Sequence, residues 1–158
     1  MESKDFQEIH DLALKAWIFT YTHINKKELK KLIDEYYSKD KLEKYLGNIK
    51  LKRQSFILAI ENKKIIGFCN IEIKKNQGEL LGLYIEPELI GKGFGKALLV
   101  KGEEFLKVNK IRKYFTFVNK YNKLGFNFYL RNNFTRLPEK DKDDEFEEKA
   151  LWYIEKEL

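Results

Sequence analysis

The stretch from Leu83 to Leu99 reads LYIEPELIGKGFGKALL, and the interpretation of the whole chain starts from it. An apolar, strand-like run ends at Pro87, and an apolar, helix-like run follows Lys96. Between them, Gly91 to Lys96 alternate glycine with other residues, so the backbone can approach a ligand closely. A helix N-terminus with free amides and two nearby lysines suits an anion, and we expect a phosphate or pyrophosphate.

Two familiar phosphate-binding motifs do not match this glycine loop. A P-loop needs two glycines with four residues between them, followed by Lys and then Ser or Thr, but Ala97 follows Lys96 here. A dinucleotide fingerprint needs a third glycine where this chain has Lys96, counting from Gly91. A glycine turn without a ligand is the structural alternative, although it would not need two lysines.

Length and composition predict one globular domain over residues 1–158. The chain has 43% hydrophobic and 35% charged residues, and its apolar runs are too short to span a bilayer. We therefore expect no membrane association, and the polar N-terminus indicates no signal peptide. One cysteine, Cys69, and two histidines favour a cytoplasmic protein without a metal site. The net charge of +6 is interpreted as a solvated surface rather than as a nucleic-acid interface.

The hydrophobic periodicity predicts an α/β fold. Two amphipathic helices come first, with Ser3 and Asn25 as candidate N-caps and Tyr36 on the apolar stripe of the second. Residues 41–51 are ambiguous. Strands are expected at 55–61, 65–74, 79–85, 113–118, 134–137 and 150–155, and helices at 93–108 and 121–131. Gly82, inside the third strand, suggests a bulge or a close backbone approach. Asp141 to Glu148 form an acidic stretch, expected to be a solvent-exposed loop.

The run from Leu83 to Glu88 followed by GKGFGKALL resembles the signature of the GCN5-related N-acetyltransferase (GNAT) superfamily. Members have a strand of form L-Y-V-x-P leading into [Q/R]-x-x-G-x-[G/A] and a helix. The glycines of that motif correspond to Gly93 and Gly95, whereas Ile90 stands where the family has Gln or Arg. The resemblance implies that the loop amides hold the pyrophosphate of coenzyme A.

A second motif lies about thirty residues downstream. Asn122, Phe128, Tyr129 and Phe134 match the family pattern N-x-x-A-x-x-F-Y-x-x-x-G-F at the right spacing, with Gly125 in place of Ala. Two motifs in the right order strengthen the resemblance, which covers roughly residues 55–155. The N-terminal W-x-x-T-Y segment is similar to that of polyamine acetyltransferases of the PaiA type.

The resemblance implies a three-layer sandwich on a central mixed, mostly antiparallel sheet. The helix pattern begins by about residue 4, so the usual first strand is expected to be short or absent. The implied function is acetyl-CoA-dependent N-acetylation of a primary amine of a small molecule or polyamine, by direct attack. A protein or peptide N-acetyltransferase and a catalytically silent coenzyme A-binding module are the alternatives. A homodimer is left open, and neither a nucleic acid nor a metal is expected.

Two residues are candidates for the proton transfers of this reaction. Tyr129 is the candidate acid, since a phenol stays protonated at neutral pH and can donate toward sulfur. Glu79 lies fourteen residues before Gly93, as does the glutamate base of histone-type members. Glu72, Glu86 and an ordered water are the alternatives to Glu79. The expected cofactor-binding residues are Leu83, Tyr84, Ile85, Gly91, Lys92, Gly93, Phe94, Gly95, Lys96, Asn122 and Tyr129.

Overall fold

The computed structural model describes residues 1–143 and 150–158. In these ranges the helices are α1 (Phe6–Thr20), α2 (Lys26–Tyr36), α3 (Lys39–Lys50), α4 (Phe94–Val108) and α5 (Lys123–Arg131). The strands are β1 (Gln54–Glu61), β2 (Lys64–Lys74), β3 (Gln77–Ile85), β4 (Lys113–Asn119), β5 (Thr135–Arg136) and β6 (Leu151–Glu157). Short 3-10 turns occupy Ser3–Asp5, Pro87–Leu89 and Pro138–Lys140. None of the described helices combines the length and apolar character that a membrane span requires.

The sheet has six strands in the order β1-β2-β3-β4-β6-β5. Every neighbouring pair is antiparallel except β3 and β4, which are parallel. The predicted mixed, mostly antiparallel sheet is therefore confirmed. In the described part of the chain, helical structure begins at Ser3 with no strand before it, as the N-terminal pattern predicts.

Left-handed residues close the two hairpins that join β1, β2 and β3. Asn62 and Lys63 have φ angles of 49° and 64°, so a tight turn connects β1 to β2 as expected. Lys75 has a φ of 55° and closes the next turn. The third strand was expected to begin at residue 79, but Gly78 already pairs with Ile73 inside the sheet.

Two hydrophobic cores lie on opposite faces of the sheet, which gives the three layers. One face packs against α1, α2 and α3, with Ile9, Ile33 and Leu42 almost fully buried. The other face packs against α4 and α5, and its core includes Leu99, Leu106 and Cys69. In each core, apolar residues at helical spacing meet residues at alternate positions of the strands. We call the first face the α1–α3 face and the second the α4–α5 face.

Local packing corrects two sequence predictions in the N-terminal half. Tyr36 is 44% exposed, and its neighbour Tyr37, only 7% exposed, is the tyrosine that enters the core. The helix ends at Tyr36, so Tyr37 leaves the periodicity on which the prediction relied. His10, for which no partner was identified from sequence, lies between Asp34 on α2, at 2.8 Å, and Asp11, at 3.2 Å.

The prediction of a solvent-exposed acidic loop is wrong for its first residue, Asp141. The Asp141 side chain is 4% exposed and accepts hydrogen bonds from Arg136 Nη2, at 2.5 Å, and from the Tyr153 amide, at 2.8 Å. Asp141 therefore ties the segment after β5 to β6 instead of facing solvent. Residues 144–148 of the predicted loop lie outside the described residues.

A buried polar triad joins α4 to the central strands. Glu103 of α4 is 9% exposed and accepts hydrogen bonds from the Tyr114 hydroxyl and from Lys156 Nζ, both at 2.6 Å. Tyr114 is on β4 and Lys156 is its register partner on β6. Burial raises the pKa of the Tyr114 phenol, and its bond to Glu103 adds to the rise. The triad therefore fixes one side of the sheet against α4.

We expect Glu103→Ala to lower the free energy of unfolding by about 3 kcal/mol, because it leaves the largely buried Lys156 and Tyr114 without their shared acceptor. Glu104→Ala on the same helix is the matched control, since Glu104 is exposed and forms an ion pair with the exposed Lys101. That change should cost less than about 0.5 kcal/mol. Urea denaturation measures both. Equal losses in the two variants would contradict a structural role for the triad.

Candidate active-site cleft

A cleft opens where β3 and β4 separate. The two strands pair only at Gly78–Tyr114 and Glu79–Phe115. One step further, the Thr116 hydroxyl donates to the Leu80 carbonyl oxygen at 2.7 Å. Beyond that bond, β3 continues along β2 and β4 continues along β6. The remainder of β3 therefore presents a backbone edge to the cleft.

The hydrogen-bond alternation of the β2–β3 ladder tells which residues of this edge face the cleft. The Glu86 amide donates to the Ile66 carbonyl at 2.9 Å, which directs the backbone of Glu86 toward β2. In an antiparallel ladder every second residue bonds to the same neighbour, so the polar backbone groups of Tyr84 also face β2. Those of Leu83 and Ile85 face the cleft. Their side chains pack against the α4–α5 core.

A bulge at Leu81 accompanies the separation of the strands. Asn70 pairs with Gly82 and Ile71 with Leu80, so Leu81 has no counterpart on β2. A Cβ atom on Gly82 would lie 2.8 Å from the Tyr37 hydroxyl and 2.7 Å from the ring of Tyr84. Gly82 therefore shows both features that the sequence suggested: it adjoins a bulge, and other side chains approach its backbone closely.

The glycine loop connects the end of β3 to α4 and leaves amides unpaired. Gly91 and Gly93 have φ angles of 85° and 91°, a conformation that favours glycine, and Gly93 is the N-cap of α4. Among the described residues, no hydrogen-bond acceptor is found for five of the loop amides, those of Gly91, Gly93, Phe94, Gly95 and Lys96. The first turn of α4 contains no acidic residue. The loop is thus an electropositive helix N-terminus suited to an anion.

Close packing holds this loop against α5. A Cβ atom on Gly95 would lie 3.4 Å from the ring of Phe128 and 3.8 Å from Ile85. Gly91 and Gly93 instead face open space, with no atom within 4 Å of the Cβ position. Lys92 and Lys96 are exposed on the loop, and Ile90 is 39% exposed. The two left-handed glycines therefore line the open side, where a ligand has access.

Tyr129 extends from α5 into the protein interior without a hydrogen-bond partner. Its side chain is 8% exposed, and no partner for its hydroxyl exists among the described residues. Burial raises the pKa of the Tyr129 phenol well above its ordinary value, and Cys69, Tyr84 and Tyr21 add to the rise. Tyr129 therefore stays protonated at neutral pH and retains an uncommitted donor.

Asn122, one of the expected cofactor-binding residues, is the N-cap of α5. Its Oδ1 accepts the Gly125 amide at 2.8 Å. A Cβ atom on Gly125 would lie 2.7 Å from Asn122 Nδ2, so the glycine lets the cap fold over the first turn. After α5 ends at Arg131, Asn133 has a φ of 66°, a left-handed conformation that suits a helix stop. The cap thus positions the helix that presents Tyr129.

On the α1–α3 face, the side chain of Tyr84 is held by two aromatic partners. Trp17 Nε1 of α1 donates to the Tyr84 hydroxyl at 3.0 Å, and the ring of Tyr37 packs edge-on against the Tyr84 ring, with centroids 6.1 Å apart. Burial raises the pKa of both phenols. The sequence assigned Tyr84 to cofactor binding, whereas its side chain points away from the α4–α5 core and anchors β3 to the helices.

Two carboxylates lie side by side where the cleft begins on the α1–α3 face. Glu79 pairs in register with Glu72 across β2 and β3, and Lys74 forms ion pairs with both. Asn48 Nδ2 of α3 approaches Glu72 Oε1 at 3.4 Å. The nearby Tyr45 phenol has a raised pKa, mainly because it is buried and also because Glu72 is close. The structure thus gives Glu79 an acidic neighbour that sequence order alone does not reveal.

Sequence reasoning missed most of the α1–α3 side of the cleft. Tyr37 follows the predicted apolar stripe of the second helix, and Tyr45 and Asn48 belong to the segment 41–51 that the sequence left ambiguous. Trp17 stood out as part of a motif, but the pattern did not indicate its bond to Tyr84. Glu86, an alternative base, forms an ion pair with Lys15 of α1 at 2.5 Å and follows the end of β3. No group of three or more metal-ligating side chains occurs within residues 1–143 and 150–158.

Comparisons with known proteins agree with this geometry. The model of the acetyltransferase (GNAT) family matches residues 6–134. A protein named spermidine N(1)-acetyltransferase from Thermoplasma acidophilum is 35% identical over 137 residues, covering 83% of each chain. The crystal structure of PaiA N-acetyltransferase from Thermoplasma acidophilum in complex with coenzyme A is 29% identical, with a TM-score of 0.89. It matches 100% of this chain and 96% of that chain. A GNAT acetyltransferase from Staphylococcus aureus Mu50 shares the fold, with a TM-score of 0.78 and 19% identity. The match covers 100% of this chain and 96% of that chain.

Replacing Tyr129 by Phe should reduce the loss of stability at alkaline pH. An unfolded phenol ionises near pH 10, whereas the folded Tyr129 does not, so its contribution is complete below pH 10 and is lost as pH rises toward the raised pKa. From pH 10 to 11 the free energy of unfolding should fall about 1 kcal/mol more in the parent than in Tyr129→Phe. Urea denaturation at both pH values measures this, with Tyr36→Phe as the exposed control. Identical slopes in the parent and Tyr129→Phe would show that Tyr129 is not buried.

Proposed function

Because the chain belongs to the acetyltransferase (GNAT) family, we propose that it transfers an acetyl group from acetyl-CoA to a primary amine of a small molecule, and that polyamines are its acceptors. One observation carries this proposal. The edge of β3 leads directly into a loop with unpaired amides, and a pair of carboxylates lies where the cleft begins. An anionic donor and a cationic acceptor would thus meet at one cleft.

The chain's own residues fit coenzyme A at the glycine loop and along β3. The five loop amides and the exposed Lys92 and Lys96 suit a pyrophosphate. The polar backbone groups of Leu83 and Ile85 suit a ligand with amide groups of its own. Ile90 replaces the family's Gln or Arg, but the loop's backbone amides do not depend on that side chain. Acetyl-CoA supplies the acetyl group as an activated thioester.

The acceptor would approach from the α1–α3 face. A small amine is protonated at neutral pH, so carboxylates favour its binding. Glu72 and Glu79 supply two negative charges, and Lys74 neutralises only one of them. The residual negative charge favours an acceptor with more than one ammonium group. This agrees with the relative from Thermoplasma acidophilum that is named for spermidine acetylation.

Two residues are proposed to move the protons. Glu79 would take a proton from the acceptor ammonium, which leaves the nitrogen lone pair free to form the new C–N bond. The C–S bond breaks as that bond forms, and Tyr129 would donate its phenolic proton to the departing sulfur. A backbone amide at the cleft edge of β3 would donate to the carbonyl oxygen, on which negative charge develops. The unpartnered, protonated state of Tyr129 supports its role.

We also infer that the protein acts in the cytoplasm. The single cysteine, Cys69, is fully buried in the α4–α5 core, and burial raises the pKa of its thiol to about 12. It therefore serves as an apolar core residue, in keeping with a reducing compartment. The homodimer that sequence left open stays a prediction, to be checked by light scattering.

The first test measures coenzyme A binding and acetyl transfer together. Calorimetry should detect binding of coenzyme A, and thiol release from acetyl-CoA should be faster with spermidine than with a lysine-containing peptide.

Gly93→Val should weaken coenzyme A binding about tenfold or more, since it forces a β-branched side chain into a left-handed conformation beside the loop amides. Gly47→Ala is the control, because that helical glycine also has no neighbour within 4 Å but no positive φ.

Each result separates the alternatives. Absence of coenzyme A binding would reject the proposal, and binding without transfer to any amine would leave a silent binding module. Preference for the peptide would make a protein N-acetyltransferase the better description. Retained affinity in Gly93→Val, with an unchanged melting temperature, would place the pyrophosphate elsewhere.

The second test separates chemistry from binding. Tyr129→Phe and Glu79→Gln should each lower kcat about 100-fold, the scale of a lost proton-transfer group, while the affinity for acetyl-CoA changes little. Glu61→Gln, an exposed carboxylate at the end of β1, is the control. Steady-state kinetics and calorimetry give the two quantities. An unchanged kcat in Tyr129→Phe would reject it as the acid, and an unchanged kcat in Glu79→Gln would favour water as the base.

A further inference from the structure

A second cavity lies at the end of the sheet opposite the glycine loop. It has a volume of about 390 Å³ and forms where three chain reversals meet: α3 to β1, β2 to β3, and α4 to β4. We call it the basic end cavity. Its lining residues are Lys52, Arg53, Ile73, Lys75, Asn76, Asn109, Lys110 and Ile111. The 15 residues of α4 separate it from the glycine loop, a helix length of about 22 Å.

The charge of this cavity is uncompensated. Four of its lining residues are cations, Lys52, Arg53, Lys75 and Lys110, and none is acidic. Within the described ranges, none of these four side chains forms an ion pair or a hydrogen bond. The adjacent Lys74, by contrast, is paired with two carboxylates. The cavity therefore concentrates positive charge that the protein itself does not neutralise.

The negative ends of two neighbouring helix dipoles offset only part of this positive charge. α3 ends at Lys50 and α4 at Val108, so the C-terminal ends of both helices lie beside the cavity. Each helix end carries the equivalent of about half a negative charge, and together they offset about one of the four cations. An excess of about three positive charges remains, which a multivalent anion would neutralise.

The turns themselves do not require lysine. Lys52, Lys75 and Lys110 have φ angles of 56°, 55° and 60°, in the left-handed region where glycine and asparagine are favoured. Glycine at these positions would form the same turns at lower conformational cost, as it does at Gly91 and Gly93. The turn geometry therefore explains the backbone, and the side-chain charge needs a separate explanation.

We propose that the basic end cavity binds a small multivalent phosphate anion, independently of the glycine loop. Its volume suits a small molecule, and four exposed cations lining one cavity can bind several phosphate oxygens at once. Ile73 and Ile111 contribute apolar surface, and the Asn76 amide can donate a hydrogen bond. A nucleic acid is disfavoured, because the lining contains no aromatic ring on which a base would stack. This site goes beyond the proposed acetyl transfer and does not depend on it.

Calorimetry with tripolyphosphate tests the proposal at physiological ionic strength. Saturating coenzyme A is included so that the glycine loop is occupied. We expect one tripolyphosphate per chain and an affinity about tenfold weaker in Lys75→Asn/Lys110→Asn. Asparagine removes both charges while tolerating the left-handed backbone. Unchanged coenzyme A binding shows that the variant is folded.

A matched double variant serves as the control. Lys31→Asn/Lys63→Asn removes the same total charge, and Lys63 has a φ of 64° in the other hairpin turn. It should bind tripolyphosphate like the parent. Absence of binding to the coenzyme A-saturated protein, or equal weakening in both double variants, would overturn the proposal. Tighter binding of a single-stranded oligouridine that is lost in Lys75→Asn/Lys110→Asn would also overturn it, in favour of a nucleic-acid surface.

Discussion

β3 and β4 pair over two residues and then separate, and the proposed active site depends on how that separation is maintained. Two sets of contacts anchor these strands to the helices. Trp17 donates to the hydroxyl of Tyr84 and the Tyr37 ring packs against the Tyr84 ring, which anchors β3 to the helices of the α1–α3 face. Glu103 binds Tyr114 and Lys156, which anchors β4 and β6 to α4 on the other face. The two strands are thus anchored to helices on opposite faces of the sheet.

This opening explains how the two proposed proton-transfer residues can serve one reaction. Tyr129 belongs to the α4–α5 core, yet Tyr84 and Tyr21 of the α1–α3 side contribute to its raised pKa. Glu79 is in the last paired position of β3, beside the point where the cleft begins. A donor bound along the edge of β3 would therefore contact the acid from one face, while an acceptor enters from the other.

Sequence patterns predicted the parts of the fold that local chemistry determines. Left-handed Asn62 and the loop glycines fix turns by their own conformational preference, so the turn between β1 and β2 and the start of α4 were predictable. Tyr37, Asp141 and the pair formed by Glu72 and Glu79 depend on where the strand register brings distant segments, which no local pattern encodes. The resemblance to a family supplied the cleft chemistry but not the residues of the acceptor side.

The two ends of α4 lie beside two separate electropositive regions of the molecule. Its N-terminus presents free amides and no acidic residue, while its C-terminus joins the basic end cavity. Cations at a helix C-terminus offset the negative end of its dipole, so the arrangement stabilises α4 at both ends once an anion occupies the glycine loop. The two proposed anion sites lie about 22 Å apart, nearly three times the Debye length at physiological salt, so their charges are largely screened from one another. A ligand in one site would therefore exert little direct electrostatic effect on the other, in keeping with two independent sites.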